Sequence, residues 1–111
     1  MYGAAVNGLT EYEIPEGVTG TGYRLFRDCK FTKVTLPASL EKIGNIFFED
    51  CDKLQVVYCK AIVPPAQGTD YNIFLYCSKI PTIYVPRASV EAYKTATGWS
   101  QYADKIVGYD F

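Results

Sequence analysis

One block recurs through this chain at nearly constant spacing, and it constrains the fold more than any other feature. Aligned on its apolar positions it reads Leu9-x-x-Tyr12-x-Ile14-Pro15, then Phe31-x-x-Val34-x-Leu36-Pro37, then Leu54-x-x-Val57-x-Cys59. A shorter return reads Ile80-x-x-Ile83-x-Val85-Pro86. The starts lie 22, 23 and 26 residues apart (31−9, 54−31, 80−54). A second matched line runs between them: Phe26-x-x-Cys29, Phe48-x-x-Cys51 and Phe74-x-x-Cys77. A period in the twenties with L-x-x-L-x-L spacing predicts an α/β solenoid, whose coils stack and share one core. Most of the repeated residues are those that would face inward, so the repeat speaks to architecture more than to function.

Each block reads as a short strand. In Phe31-Thr-Lys-Val34-Thr-Leu36, alternation places Val34 and Leu36 on one face and Lys33 and Thr35 on the other. Residues 14, 34, 36, 57, 59, 83 and 85 are expected to face the core, with Phe26, Phe48 and Phe74. Proline at 15, 37 and 86 ends three of the blocks, because it offers no ladder N–H. Gly22 and Gly44 are equivalent and are expected at turns with an unusual backbone angle. The stretch ending in Phe-x-x-Cys would close each coil as a helical turn. In the third coil Pro64-Pro65-Ala-Gln-Gly68-Thr-Asp70 is expected to loop out, with Lys60 at the position matching Pro37. After Pro86 the period stops. Ser89 would cap a helix through Ala96, Gly98 would end it, and Trp99, Tyr102, Ala103 and Ile106 continue at helical spacing. An aromatic helical tail after the last coil suits a terminal cap. The expected division is therefore one domain over 1–111, with a leader at 1–8, repeat coils at 9–86 and a C-terminal cap at 87–111.

Several chemistries lose their support at the level of residue types. The chain has no His, which removes Ser-His and Cys-His machinery and the commonest general base. Cys29, Cys51 and Cys77 share one repeat position, so stacking would set them in a column roughly 5 Å apart per step. A metal would have to be held by Cys₄ alone, without any C-x-x-C pair. A disulfide would leave one of three equivalent thiols over. Small buried thiols packed as apolar residues are the simpler reading, and Cys59, at an inward strand position, follows it. Glu11 and Glu13 flank Tyr12 on an outward strand face, which suits a solvated edge better than an acid–base pair. Gly17, Gly20 and Gly22 form no phosphate-cradling pattern. The net charge of −1 leaves no electrostatic footprint for nucleic acid, and no basic cluster points to a membrane surface. No apolar run reaches the length of a membrane-spanning helix, and the first eight residues lack the pattern of an export signal. No catalytic residue, cofactor or metal is assigned.

The outward strand positions are the better functional candidates, because packing does not dictate them. One line across the sheet would be Glu13, Thr35, Tyr58, Tyr84, and its neighbour Glu11, Lys33, Val56, Thr82. Tyr58 and Tyr84 would lie side by side as a stacking platform for a sugar ring or a peptide. The alternative is an aromatic pair that stabilises the sheet surface, or that is covered by the tail or a second copy. The candidate contact face is thus Tyr58, Tyr84, Thr35, Lys33, Glu13 and Glu11. Four strands at about 4.8 Å spacing make a face of a few hundred Å², short of the roughly 800 Å² per partner of a stable protein interface.

The combination Ile-Pro-x-x-Val, Gly-x-x-x-Phe-x-x-Cys and Leu-x-x-Val-x-Leu-Pro resembles the BspA-type leucine-rich repeats of bacterial surface proteins. The ending Tyr84-Val85-Pro86-Arg-Ala-Ser-Val-Glu-Ala-Tyr93, continued by Gly98-Trp99-x-x-Tyr102, looks like the C-terminal end of many such proteins. The likeness spans residues 9 to about 107. It implies a right-handed stack of three to four coils with a short parallel sheet on one side. It also implies a non-catalytic adhesion or recognition module at a cell surface or secreted, binding a protein or a glycan. The second reading is a structural segment that caps a longer array and has no ligand of its own. The first coil is degraded at Tyr12 and Thr21, so its edge is expected to fray before about residue 9 or to pair with another copy as a homodimer.

Overall fold

The computed structural model describes residues 11–22, 26–27, 30–44, 48–49, 51–67, 73–75, 77 and 79–111, with only the backbone of Phe26, Arg27 and Leu75. Ten short strands are described: β1 (Glu11–Glu13), β2 (Phe26–Arg27), β3 (Lys33–Leu36), β4 (Lys42–Ile43), β5 (Phe48–Glu49), β6 (Val56–Cys59), β7 (Ala66–Gln67), β8 (Phe74–Leu75), β9 (Thr82–Pro86) and β10 (Ile106–Tyr109). They form three sheets, ordered β1-β3-β6-β9-β10, β2-β5-β8 and β4-β7. Every strand pairing is parallel. The second and third repeats each lend one strand to each sheet (β3, β4, β5 and β6, β7, β8), and the sequence period becomes the register of the ladders.

The largest sheet shows this directly. Lys33 pairs with Glu11 at an offset of 22 (33−11), Cys59 with Leu36 at 23 (59−36), and Thr82 with Val56 at 26 (82−56). Alternation then decides which side chains are covered. Ile14, Val34, Leu36, Val57, Cys59, Ile83 and Val85 all lie in the core. Val34 and Phe48 are both 0% exposed; a slip of one residue would have turned Val34 to solvent.

The Phe-x-x-Cys segments differ from expectation. Instead of helical turns, their first two residues are the strands β2, β5 and β8. The parallel ladder brings Phe48 onto Phe74 with ring centroids 5.3 Å apart and planes 3° from parallel. A helical turn would satisfy its backbone internally but would not set those rings in register. Cys29 and the side chain of Phe26 lie outside the described residues.

The third repeat does not simply loop out either. Ala66 and Gln67 pair with Lys42 and Ile43, at an offset of 24 (66−42). Gly20 and Lys42 are bridged at an offset of 22 (42−20). The offset grows by one residue between Cys59 and Ala66, a stretch in which Ile62 and Val63 stand 72% and 75% exposed. Pro64 and Pro65 precede the strand, so neither has to supply a ladder N–H.

Adjacent turns are tied by side chains. Val18 donates its N–H to the Pro15 carbonyl, and Leu40 does the same to Pro37. Ser39 Oγ accepts from Gly17 N–H (2.9 Å) and donates to the Val18 carbonyl (2.8 Å). Gly17 has φ +100°, so the left-handed position falls here and at Gly98 (φ +85°), rather than at Gly22 or Gly44.

Beyond β9 the chain forms a 3₁₀ turn (Arg87–Ser89), helix α1 (Val90–Thr95) and a second 3₁₀ segment (Ser100–Lys105) kinked at Tyr102. Ser89 does not cap α1; its buried hydroxyl donates to the Ile62 carbonyl at 2.7 Å. The helix ends at Thr95 with Ala96 extended, so Gly98 does not end it, contrary to expectation. Gly98 takes its left-handed angle in the following turn, where Trp99 N–H reaches the Ala96 carbonyl. Ile106 opens β10 instead of continuing a helix, and the sheet has five strands where four were expected. This fifth strand covers what would otherwise be the open edge of β9. Tyr93, Trp99, Tyr102 and Ile106 seal the core at this end.

Candidate functional site

The outward face of the five-stranded sheet carries both rows expected from the repeat. Glu13 pairs with Thr35, Thr35 with Tyr58 and Tyr58 with Tyr84. Alongside run Glu11, Lys33, Val56 and Thr82. Because strand side chains alternate, the buried residues Ile14, Val34, Leu36, Val57, Cys59, Ile83 and Val85 turn the residues between and beside them outward.

Tyr58 and Tyr84 stack with centroids 5.3 Å apart and planes 19° from parallel. They do not form a bare platform. Tyr109 on β10 leans on both, 5.3 Å from each and tilted by 59° and 58°. Phe111 adds a fourth ring, 4.8 Å from Tyr109 and 6.2 Å from Tyr58, nearly perpendicular to Tyr58 at 84°. The rings of the tail thus lie against the tyrosine pair.

Tyr109 and Phe111 were not among the expected face residues. The signal was present, since Val107, Tyr109 and Phe111 alternate with period two and all three are exposed. Helical spacing through Ile106 masked it. A second addition is Lys60, two residues beyond Tyr58 and so on the same face. Its Nζ lies 3.5 Å from Glu13 Oε2, while Lys33 Nζ lies 4.0 Å from Glu11 Oε2. Both pairs are exposed enough for water to compete, so each contributes about 0–1 kcal/mol.

Two clefts lie on this face. One, of about 220 Å³, is lined by Glu13, Thr35, Tyr58, Lys60, Tyr109 and Phe111. The other, of about 240 Å³, is lined by Glu11, Tyr12, Glu13, Lys33, Thr35 and Tyr58. They share Glu13, Thr35 and Tyr58. The two clefts are lined by all the expected face residues except Tyr84, which stacks on Tyr58.

Beyond the ladder of β10 on β9, an exposed fork ties the tail. Arg87 donates through Nε (2.9 Å) and a terminal nitrogen (3.3 Å) to the two carboxylate oxygens of Asp110, between Tyr109 and Phe111. The guanidinium holds the Asp110 carboxyl below its ordinary value, first through these hydrogen bonds and then through its charge.

The cysteines sit away from this face. Cys51 and Cys59 are buried and Cys77 is half-buried. Tyr93 OH donates to the Ala61 carbonyl at 2.6 Å, so the Cys59 thiol, 3.2 Å away, donates to the phenol oxygen. Burial pushes the Cys59 thiol up to about 11. Among the described residues no group of three or more His, Cys, Asp or Glu could hold a metal ion. None of the described helices is long and apolar enough to cross a membrane.

The family model of the BspA-type leucine-rich repeat region (6 copies) matches residues 4–97. The chain belongs to this family. BspA-type repeat regions are generally non-catalytic and of the surface, adhesion type. None of the curated proteins matches the chain. The match runs through β9 and α1 and stops short of β10, so Tyr109 and Phe111 lie outside the matched BspA-type repeats.

Proposed function

We propose that this chain is a non-catalytic recognition module of a cell-surface or secreted bacterial protein, and that it binds its ligand through the outward face of the five-stranded sheet. In this reading the repeats form a right-handed leucine-rich-repeat stack of three to four coils, the hand that parallel crossovers almost always take. The observation that carries the reading is the row Glu13, Thr35, Tyr58, Tyr84, with Tyr109 and Phe111 gathered over it. Four aromatic rings on a solvent-facing sheet contribute little to a core that is already closed beneath them. Aromatic side chains with a polar tip are instead enriched where proteins meet partners.

A second reading, a structural segment ending a longer array, is favoured by a different observation. Tyr109 occupies the tyrosine pair, and the terminal segment saturates the carbonyls of Ala61, Ile62 and Pro65 with side-chain donors. An array of glycans and extracellular-matrix proteins, probed with wild type and with Tyr58→Ala/Tyr84→Ala, separates the two. Recognition predicts a ligand that the double variant loses. Equal binding by both proteins, or binding by neither, favours the structural segment.

A further inference from the structure

We propose that the cleft formed by Tyr58, Phe111, Glu13 and Lys60 is a binding site for a neutral hexose ring within a glycan. This rests on the outward face being the recognition surface, and it names the ligand class for that face.

The size of the cleft sets the first bound. About 220 Å³ is below the roughly 300–1,000 Å³ of a drug-sized pocket, and equals about seven waters at roughly 30 Å³ each. One six-membered ring with its hydroxyls is an occupant of that scale. The adjoining cleft of about 240 Å³ shares Glu13, Thr35 and Tyr58, so a second linked ring can follow the first.

The aromatic geometry sets the second. Tyr58 and Phe111 meet at 84°, making a corner of one ring floor and one ring wall. A pyranose has a flat patch of C–H groups that can lie on such a ring, leaving its equatorial hydroxyls to point sideways. The neighbouring rings are already in mutual contact, with centroids 4.8 to 5.3 Å apart. No gap remains between them for an alkylammonium group, which argues against an aromatic cage for a cationic side chain.

Charge supplies the third bound. Glu13 is matched by Lys60 and Glu11 by Lys33, so the face is electrically balanced. A polyanion would seek unpaired cations and a basic peptide unpaired carboxylates. A polyhydroxylated neutral ligand needs donors and acceptors side by side, and Lys60, Glu13 and the Thr35 hydroxyl provide them. The Glu13–Lys60 pair is weak and wet, so its members can turn to ligand hydroxyls at little cost.

The test is a titration of the isotope-labelled chain with cellotriose and lactose, beside heparin and oligolysine, read by the shifts of aromatic and methyl signals. The proposal expects a neutral saccharide, at millimolar concentration, to move the Tyr58, Tyr109 and Phe111 rings and the Thr35 methyl. Phe111→Ala and Tyr58→Ala should each weaken that binding about tenfold. Phe111 is 51% exposed, so its variant keeps the fold, which an unchanged thermal midpoint verifies. Silence from both saccharides, shifts elsewhere on the molecule, tighter binding of either charged polymer, or unchanged binding by Phe111→Ala overturns the proposal. A matrix protein that binds through Tyr58 while no saccharide does would overturn the hexose site and leave the recognition face standing. A face that binds nothing overturns both.

Discussion

The Trp99 indole N–H donates to the Pro65 carbonyl at 2.9 Å, where a backbone N–H would stand if the repeat continued. The series leading to it is regular. The Thr19 carbonyl accepts from Glu41 and Lys42, and the Glu41 carbonyl accepts from Ala66. Pro65 is next in that register, since Ala66 pairs with Lys42. Trp99 thus replaces a missing rung, and Tyr93 and Ser89 donate from the same terminal segment to the carbonyls of Ala61 and Ile62. Such caps matter because an open repeat end exposes both apolar surface and unpaired backbone groups. Trp99→Phe keeps most of the ring but leaves the Pro65 carbonyl without this donor. It should destabilise the protein by about 1–3 kcal/mol in denaturant unfolding. Trp99→Ala also opens a cavity and should cost about 3–5 kcal/mol.

The buried Cys59 thiol makes stability depend on alkaline pH. Its folded value, about 11, stands above the ordinary 9.0. Below pH 9 both folded and unfolded chains hold the proton, and the contribution is fully present. Between pH 9 and 11 the unfolded chain loses it first, so stability falls, by about 2–3 kcal/mol over that window. Burial also pushes the Tyr93 hydroxyl up, with Cys59 adding to it, which steepens the fall above the ordinary tyrosine value of 10.0. Urea unfolding at stepped pH should show this slope, and Cys59→Ala should flatten its lower part.

The Arg87–Asp110 fork predicts the opposite dependence for the aromatic tail. Asp110 is held below its ordinary 3.8, so the fork is intact above that value and is lost as pH falls through the lowered one. The ring signals of Tyr109 and Phe111 should move in that acidic step while those of Phe48 and Phe74 do not. Asp110→Asn should abolish the step and leave the tail signals at one position throughout.

How far the sequence could be read follows from what fixes each residue. Val34 and Leu36 were legible because a buried face admits one register, and Tyr58 and Tyr84 followed because the same spacing carries the outward row. Tyr109 and Phe111 were not, because the terminal segment lies outside the period. Trp99, Tyr102 and Ile106 have helical spacing, yet a 3₁₀ segment leading into a strand buries the same three residues. Pro64-Pro65 read as a breaker and hid Ala66–Gln67, whose pairing needs the Ala66 N–H and none from proline. Lys60 stood only as a departure from Pro37, and its meaning came from Glu13, 47 residues earlier (60−13) and two strands away across the sheet.

The account rests on rings from three strands, β6, β9 and β10, meeting on one outward face. Nuclear Overhauser spectroscopy of the aromatic protons measures that meeting directly. It predicts cross-peaks between Tyr58 and Tyr84, from Tyr109 to both, and from Phe111 to Tyr109, as centroid separations of 4.8 to 5.3 Å require. A spectrum in which Tyr58 and Tyr84 share no cross-peak, or in which Tyr109 touches neither, would contradict the register and the face built on it.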